Sequence, residues 1–249
     1  MKVIACYNIK GGVGKTASTV NLAYLSAREG FRTLVWDLDP QGASSFYYRI
    51  RPAAGAGAAA LVRDELELGT VIKGTDYDNL DLVPADFSYR NIDLFLDGEK
   101  KPKQRVEKLL KPMIEDYDYV FLDCPPGISL LSENVFMAAD VLLVPLIPTT
   151  LSLRTLDQLL QFCQQEGLND FSILPFFTMV DVRKALHRRI VEELPKRMPN
   201  VLTNHIPYSS EIEQMGLRRA PVNIFAAHTR SAQAYEDLWW EIKVRLEWL

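Results

Sequence analysis

Seven consecutive residues near the amino terminus carry the first chemistry: Lys10, Gly11, Gly12, Val13, Gly14, Lys15 and Thr16. Glycines at this density let the backbone curl so that successive N–H groups point at one anion. A helix starting near Lys15 adds the positive end of its dipole. In such a loop Lys15 reaches the β- and γ-phosphates of a nucleotide, and the Thr16 hydroxyl ligands Mg²⁺. The loop departs from the usual GxxxxGK[ST] pattern at its first glycine, whose place is taken by Ile9, and a lysine follows at position 10. The tight loop aims the Lys10 side chain outward, away from its own nucleotide. A cation so placed suits a nucleotide bound to a second subunit.

These groups need a frame, and the hydrophobic pattern supplies one. Val3 to Tyr7 reads as a strand feeding the loop, followed by a helix from about Lys15 to Glu29. Further strands are expected at Thr33 to Leu38, Leu80 to Pro84, Tyr119 to Leu122, Val141 to Ile147, Ile173 to Val180 and in a short run before Ile206. Apolar runs that do not alternate belong to a parallel sheet with both faces covered by helices. The expected fold is α/β: a doubly wound, mostly parallel sheet flanked by helices, with its ligand at the carboxyl ends of the strands. Arg51 to Ala60 is the one compositionally biased segment, read as a loop leading into a helix near Leu61 to Leu66. It is too short for a linker, so residues 1–249 are expected to form a single domain.

Composition narrows the classes. The 249 residues are 48% hydrophobic and 24% charged, too apolar for a disordered chain. The longest uncharged stretches are 13 residues, short of the roughly 18 that a membrane span needs. The amino terminus has no apolar core and cleavage site of a secretory signal, so a cytoplasmic location is expected. Cys6, Cys124 and Cys163 form no CxxC pair, and His187, His205 and His228 have no metal-ligand spacing. The net charge of −4 requires any nucleic-acid contact to use a local basic patch.

The loop, KGGVGKT, resembles the deviant Walker A box of the ParA/MinD superfamily of P-loop ATPases. The second strand continues as Asp37-Leu38-Asp39-Pro40-Gln41-Gly42, similar to that family's VDLDPQG switch segment. Tyr117 to Pro126 resembles its Walker B strand, and Asn79 to Ala85, Thr178 to Asp181 and Ile206-Pro207 match weaker signatures in the same order. The resemblance implies ATP and Mg²⁺ as ligands, with residues 10–17, Lys10 through Ala17, wrapping the nucleotide. Lys10 becomes the lysine that crosses an ATP-bound homodimer, and Asp39 the residue that positions the attacking water. Thr16, Asp37 and Asp123 are placed at the metal. Ala17 stands where many relatives have a second threonine, which removes a hydroxyl near the α-phosphate.

The residues discriminate among three branches of that superfamily. An iron–sulfur reductase needs a cluster cysteine several residues beyond Asp123, where Gly127 to Leu131 hold none. A MinD-like membrane-associated positioning ATPase ends in a basic amphipathic helix, whereas Tyr235 to Leu249 carries four acidic and two basic side chains. The partition branch, of the ParA/Soj type, binds DNA without sequence preference. Residues 182–197 hold six basic side chains, among them Arg183, Lys184, Arg188 and Arg189, against two glutamates. Arg218 and Arg219 fall in a second segment resembling a DNA-contacting region. The expected activity is slow ATP hydrolysis stimulated by a ParB-like or cargo-adaptor partner, on the nucleoid. The chain starts at its first strand, so a helix-turn-helix extension with operator binding is not expected. Two faces of the last helix are apolar, one with Tyr235, Leu238, Trp239, Ile242, Leu246 and Leu249, the other with Trp240, Val244 and Trp248. Burial of both faces within the domain is the expectation, with adaptor docking on the second as the alternative.

Overall fold

The computed structural model describes residues 1–51 and 57–247. Its strands are β1 (Lys2–Cys6), β2 (Thr33–Asp37), β3 (Lys73–Gly74), β4 (Leu80–Val83), β5 (Tyr119–Asp123), β6 (Val141–Leu146) and β7 (Ser172–Phe177). They form one sheet in the order β3-β4-β2-β5-β1-β6-β7, parallel throughout except for the two-residue antiparallel β3. The helices are α1 (Lys15–Arg28), α2 (Ala43–Tyr47), α3 (Ala58–Val62), α4 (Ile92–Asp97), α5 (Arg105–Leu110) and α6 (Leu130–Ala138). They continue as α7 (Thr150–Gln165), α8 (Ala185–Arg197), α9 (Ser210–Arg218), α10 (Val222–Phe225) and α11 (Arg230–Leu246).

Alternate residues of each strand feed two separate cores. Val3 and Ala5 of β1, Leu34 and Trp36 of β2 and Val120 and Leu122 of β5 join one, covered by helices from α3 to α8. Ile4, Val35, Phe121 and Leu143 face the other, covered chiefly by α1 and α11. Both faces of the strands are therefore apolar, which is why their sequences run without alternation. The doubly wound α/β reading holds.

Several expectations need correction. The run before Ile206 is not a strand: it makes only an isolated bridge, Val180 with Pro207, beyond the end of β7. β7 itself stops at Phe177, because Thr178 turns toward the phosphate loop and Met179 takes a left-handed conformation (φ 52°). The helix placed near Leu61 begins earlier, at Ala58, and part of the Arg51 to Ala60 segment lies outside the described residues. The terminal helix begins at Arg230 rather than Tyr235, with the Thr229 side chain accepting from the Ala232 N–H as its cap. Tyr235, Leu238, Trp239, Ile242 and Leu246 are buried as expected, but Trp240 is 63% exposed. Burial of the second face thus fails at Trp240, since the helix packs one side only; Trp248 and Leu249 lie outside the described residues.

Candidate nucleotide site

The phosphate loop is tied down by the protein itself from three directions. The Lys10 N–H donates to Asn8 Oδ1 at 2.8 Å, and Asn8 Nδ2 donates to the Pro145 carbonyl at 2.8 Å, fixing the loop to β6. Thr178 Oγ1 donates to the Val13 carbonyl at 2.8 Å, and the Gly127 N–H to the Ile9 carbonyl at 2.9 Å. Gly12 and Gly14 hold φ of 72° and 90°, which a residue with a Cβ adopts only under strain. Lys15 is buried, its ammonium donating to the Lys10 carbonyl at 3.2 Å, as a cation does when folded back over an anion cradle. Lys10, by contrast, is exposed. Gly11, Gly12, Gly14, Lys15, Thr16 and Ala17 line a cleft of about 560 Å³, closed on other sides by Asp39, Tyr47, Pro126 and Met179.

Behind that cleft wall stand two carboxylates. Asp37 and Asp123 end neighbouring strands in register and are fully buried. Asp123 Oδ1 accepts from the Thr16 hydroxyl at 3.3 Å and Oδ2 from the Ser44 hydroxyl at 2.7 Å. Asp37 Oδ2 accepts from the Ser45 N–H and hydroxyl at 2.8 and 2.7 Å, while its Oδ1 has no partner among the described residues. Burial pushes both carboxyls above the ordinary carboxylate range, and for Asp37 the charge of Asp123 adds to the effect. An orphaned buried carboxylate oxygen beside a second carboxylate and a hydroxyl is an all-oxygen donor set that suits a hard divalent cation. Asp39 sits apart on the cleft wall, its Oδ1 accepting from the Gln41 N–H at 2.9 Å.

The chain is similar to known proteins over almost its whole length. The model of a family described as AAA domain matches residues 1–170. The sporulation initiation inhibitor protein Soj of Bacillus subtilis is 31% identical, over 95% of this chain and 96% of its own. The chain belongs to the ParA/Soj family of partition ATPases. Among solved structures, an ATP complex of McdA from Cyanothece shares the fold with a TM-score of 0.85, at 21% identity over 98% of this chain and 96% of that one. Cobyrinic acid a,c-diamide synthase from Mycobacterium smegmatis, with bound ATP analogue and magnesium, gives 0.82 at 26% identity over 96% and 92%.

Within this ParA/Soj chain the basic residues singled out above are not equivalent. Arg183 is exposed but doubly bonded to Asp181, with contacts of 2.9 Å from Nε and Nη2. Lys184 immediately precedes α8 and is exposed, and Arg188 donates to the Val182 carbonyl at 2.6 Å. Arg189 borders an apolar groove with Leu153, Leu186 and Ile190. Arg218 is exposed at the end of α9, while Arg219 is half-buried against Phe46. Arg188 and Arg189 lie on α8 with Arg183 and Lys184 just before it, whereas Arg218 and Arg219 stand at the end of α9. All three cysteines are free and buried; burial pushes the Cys6 thiol up to about 12. Sequence reasoning missed Asn8, Ser44, Ser45 and Tyr47. Two serines one residue beyond the DPQG segment were a usable signal, because a helix starting after that glycine aims its first-turn hydroxyls at the strand ends.

Proposed function

We propose that this chain is an ATPase of the partition type whose ATP-bound homodimer binds DNA without sequence preference and positions a cargo through partner-stimulated hydrolysis. The observation that carries it is the division of labour between two lysines of one loop. Lys15 is buried over the cradle, and Lys10 is exposed on the loop's outer side. The loop N–H groups and Lys15 hold the nucleotide's phosphates, and Asp39 orients the attacking water from the cleft wall. Thr16 and Asp123 would hold Mg²⁺, with Asp37 behind them. When bound, the ion neutralises charge building on the phosphates. Lys10 of each copy reaches the other copy's nucleotide, so the γ-phosphate favours the dimer. Arg183, Lys184, Arg188, Arg189, Arg218 and Arg219 offer the cationic surface that displaces counterions from duplex DNA on the nucleoid. A ParB-like protein or cargo adaptor ends the cycle by stimulating turnover.

The test is binding to random-sequence duplex DNA with ATP, ADP or no nucleotide across a salt series, beside vesicles of anionic lipid. ATP-dependent binding is expected to weaken with a log–log slope of roughly −0.9 per phosphate neutralised. Lys10→Ala is expected to lose both ATP-dependent dimerisation and stimulated turnover. Unchanged dimerisation and turnover in that variant would overturn the mechanism. Vesicle binding without DNA binding would move the chain to the membrane-associated, MinD-like reading.

A further inference from the structure

α2 is a short helix with a different duty at each end. At its start, Ser44 and Ser45 hold the buried carboxylates Asp123 and Asp37. At its finish, Phe46 and Tyr47 diverge: Tyr47 lines the nucleotide cleft, and Phe46 is 49% exposed on the outside. Arg219 closes on that outer residue. Its Nε donates to the Phe46 carbonyl at 3.0 Å, and its guanidinium lies 4.6 Å over the Phe46 ring. A second arginine crosses the same gap in the opposite direction, Arg49 Nη2 donating to the Arg218 carbonyl at 3.2 Å. Both arginines sit in the left-handed region, φ 61° at Arg49 and 50° at Arg219, a conformation that non-glycine residues hold where their surroundings impose it. These contacts clasp the α9 terminus to the helix that follows the switch segment.

We propose that this clasp is a latch through which the nucleotide site governs how Arg218 and Arg219 meet duplex DNA, an inference that rests on the DNA-binding reading above. Closed, the latch spends the Arg219 guanidinium on Phe46 and withholds it from a phosphate backbone. Asp123 Oδ2 is held by the Ser44 hydroxyl, so a divalent cation drawn to Asp123 would compete with that hydroxyl for the carboxylate. Loading the site therefore rearranges the first turn of α2. A five-residue helix passes that change directly to Phe46. The latch opens, and Arg219 turns to solvent beside Arg218.

Phe46→Ala removes the ring, and Arg49→Ala removes the second tie; neither residue belongs to the nucleotide site. Affinity for random-sequence duplex DNA is measured without nucleotide and with an ATP analogue and Mg²⁺. Hydrogen exchange of the amides in residues 216–220 is followed in parallel. Each variant is expected to bind DNA about two- to five-fold more tightly without nucleotide, with its analogue-bound affinity unchanged, so that the nucleotide dependence narrows. Exchange in 216–220 is expected to quicken on loading in the unaltered protein and to be fast from the outset in the variants. Unchanged nucleotide-free affinity in both variants, with exchange insensitive to loading, would overturn the latch. If the unaltered protein binds DNA in no nucleotide state, the DNA reading fails and the exchange comparison alone decides the latch.

Discussion

At the scale of single residues, a histidine outside the nucleotide site is held in one protonation state by its neighbours. Nδ1 of the buried His187 accepts from the Asp181 N–H at 3.2 Å, so that nitrogen carries no proton. Burial and the nearby Lys184 keep its pKa below the ordinary value of 6.5, and burial acts the same way on His205. A depressed histidine binds fewer protons folded than unfolded, so its contribution is fully present above about pH 6.5 and is lost as pH falls below that value. The urea midpoint of the unaltered protein is expected to lose ground to that of His187→Gln as pH falls from about 6.5 to about 5.5, while the raised Asp37 and Asp123 carboxyls act in the opposite direction in both proteins. Equal slopes for the two proteins would show that His187 plays no part. None of this was readable beforehand, because a lone histidine between arginines gives no sign of which backbone N–H it will face.

At the scale of elements, α2 concentrates the most consequence in the fewest residues. Ser45 Oγ donates to Asp37 and accepts from the Ala85 N–H at 2.9 Å, tying the switch helix both to the end of β2 and to the segment after β4. Ser45→Ala leaves the buried Ala85 N–H without its acceptor, at a cost of about 1–3 kcal/mol. Urea unfolding of the nucleotide-free protein measures it, and a loss below about 0.5 kcal/mol would mean that the backbone finds another partner. The long elements were legible in the sequence for a physical reason. Strands such as Val141–Leu146 are apolar on both faces, and α1 follows a glycine loop, so composition and period agree. The short ones were not. β3 is two residues long and α2 five, below the length at which period carries information, and each is fixed by tertiary contacts instead. The candidate site divides in the same way. Lys10 through Ala17, Asp39 and Asp123 stand in recognisable spacings, whereas Asn8 and the two serines act through hydrogen bonds made only once the strands align.

At the scale of the whole molecule, adjacent tryptophans on α11 mark the boundary between core and surface. Trp239 is 1% exposed, stacked edge-on against Tyr119 with centroids 5.3 Å apart, whereas Trp240 is 63% exposed. Trp239→Ala is expected to destabilise by about 3–5 kcal/mol, and Trp240→Ala by no more than about 0.5 kcal/mol. Thermal or urea unfolding distinguishes them, and a large loss at Trp240 would place it against a partner or a second copy in solution. The sheet order has a consequence for how the molecule comes apart. β1 is hydrogen-bonded on both sides, to β5 and β6, and supplies residues to both cores, whereas the far margin ends in a two-residue strand. Partial openings begin at that margin and leave β1 and the loop hanging from it intact. On the proposed reading, a nucleotide on that loop would raise the free energy of whole-sheet unfolding and leave the opening of the margin untouched, so its effect on amide exchange would be confined to the slowest amides.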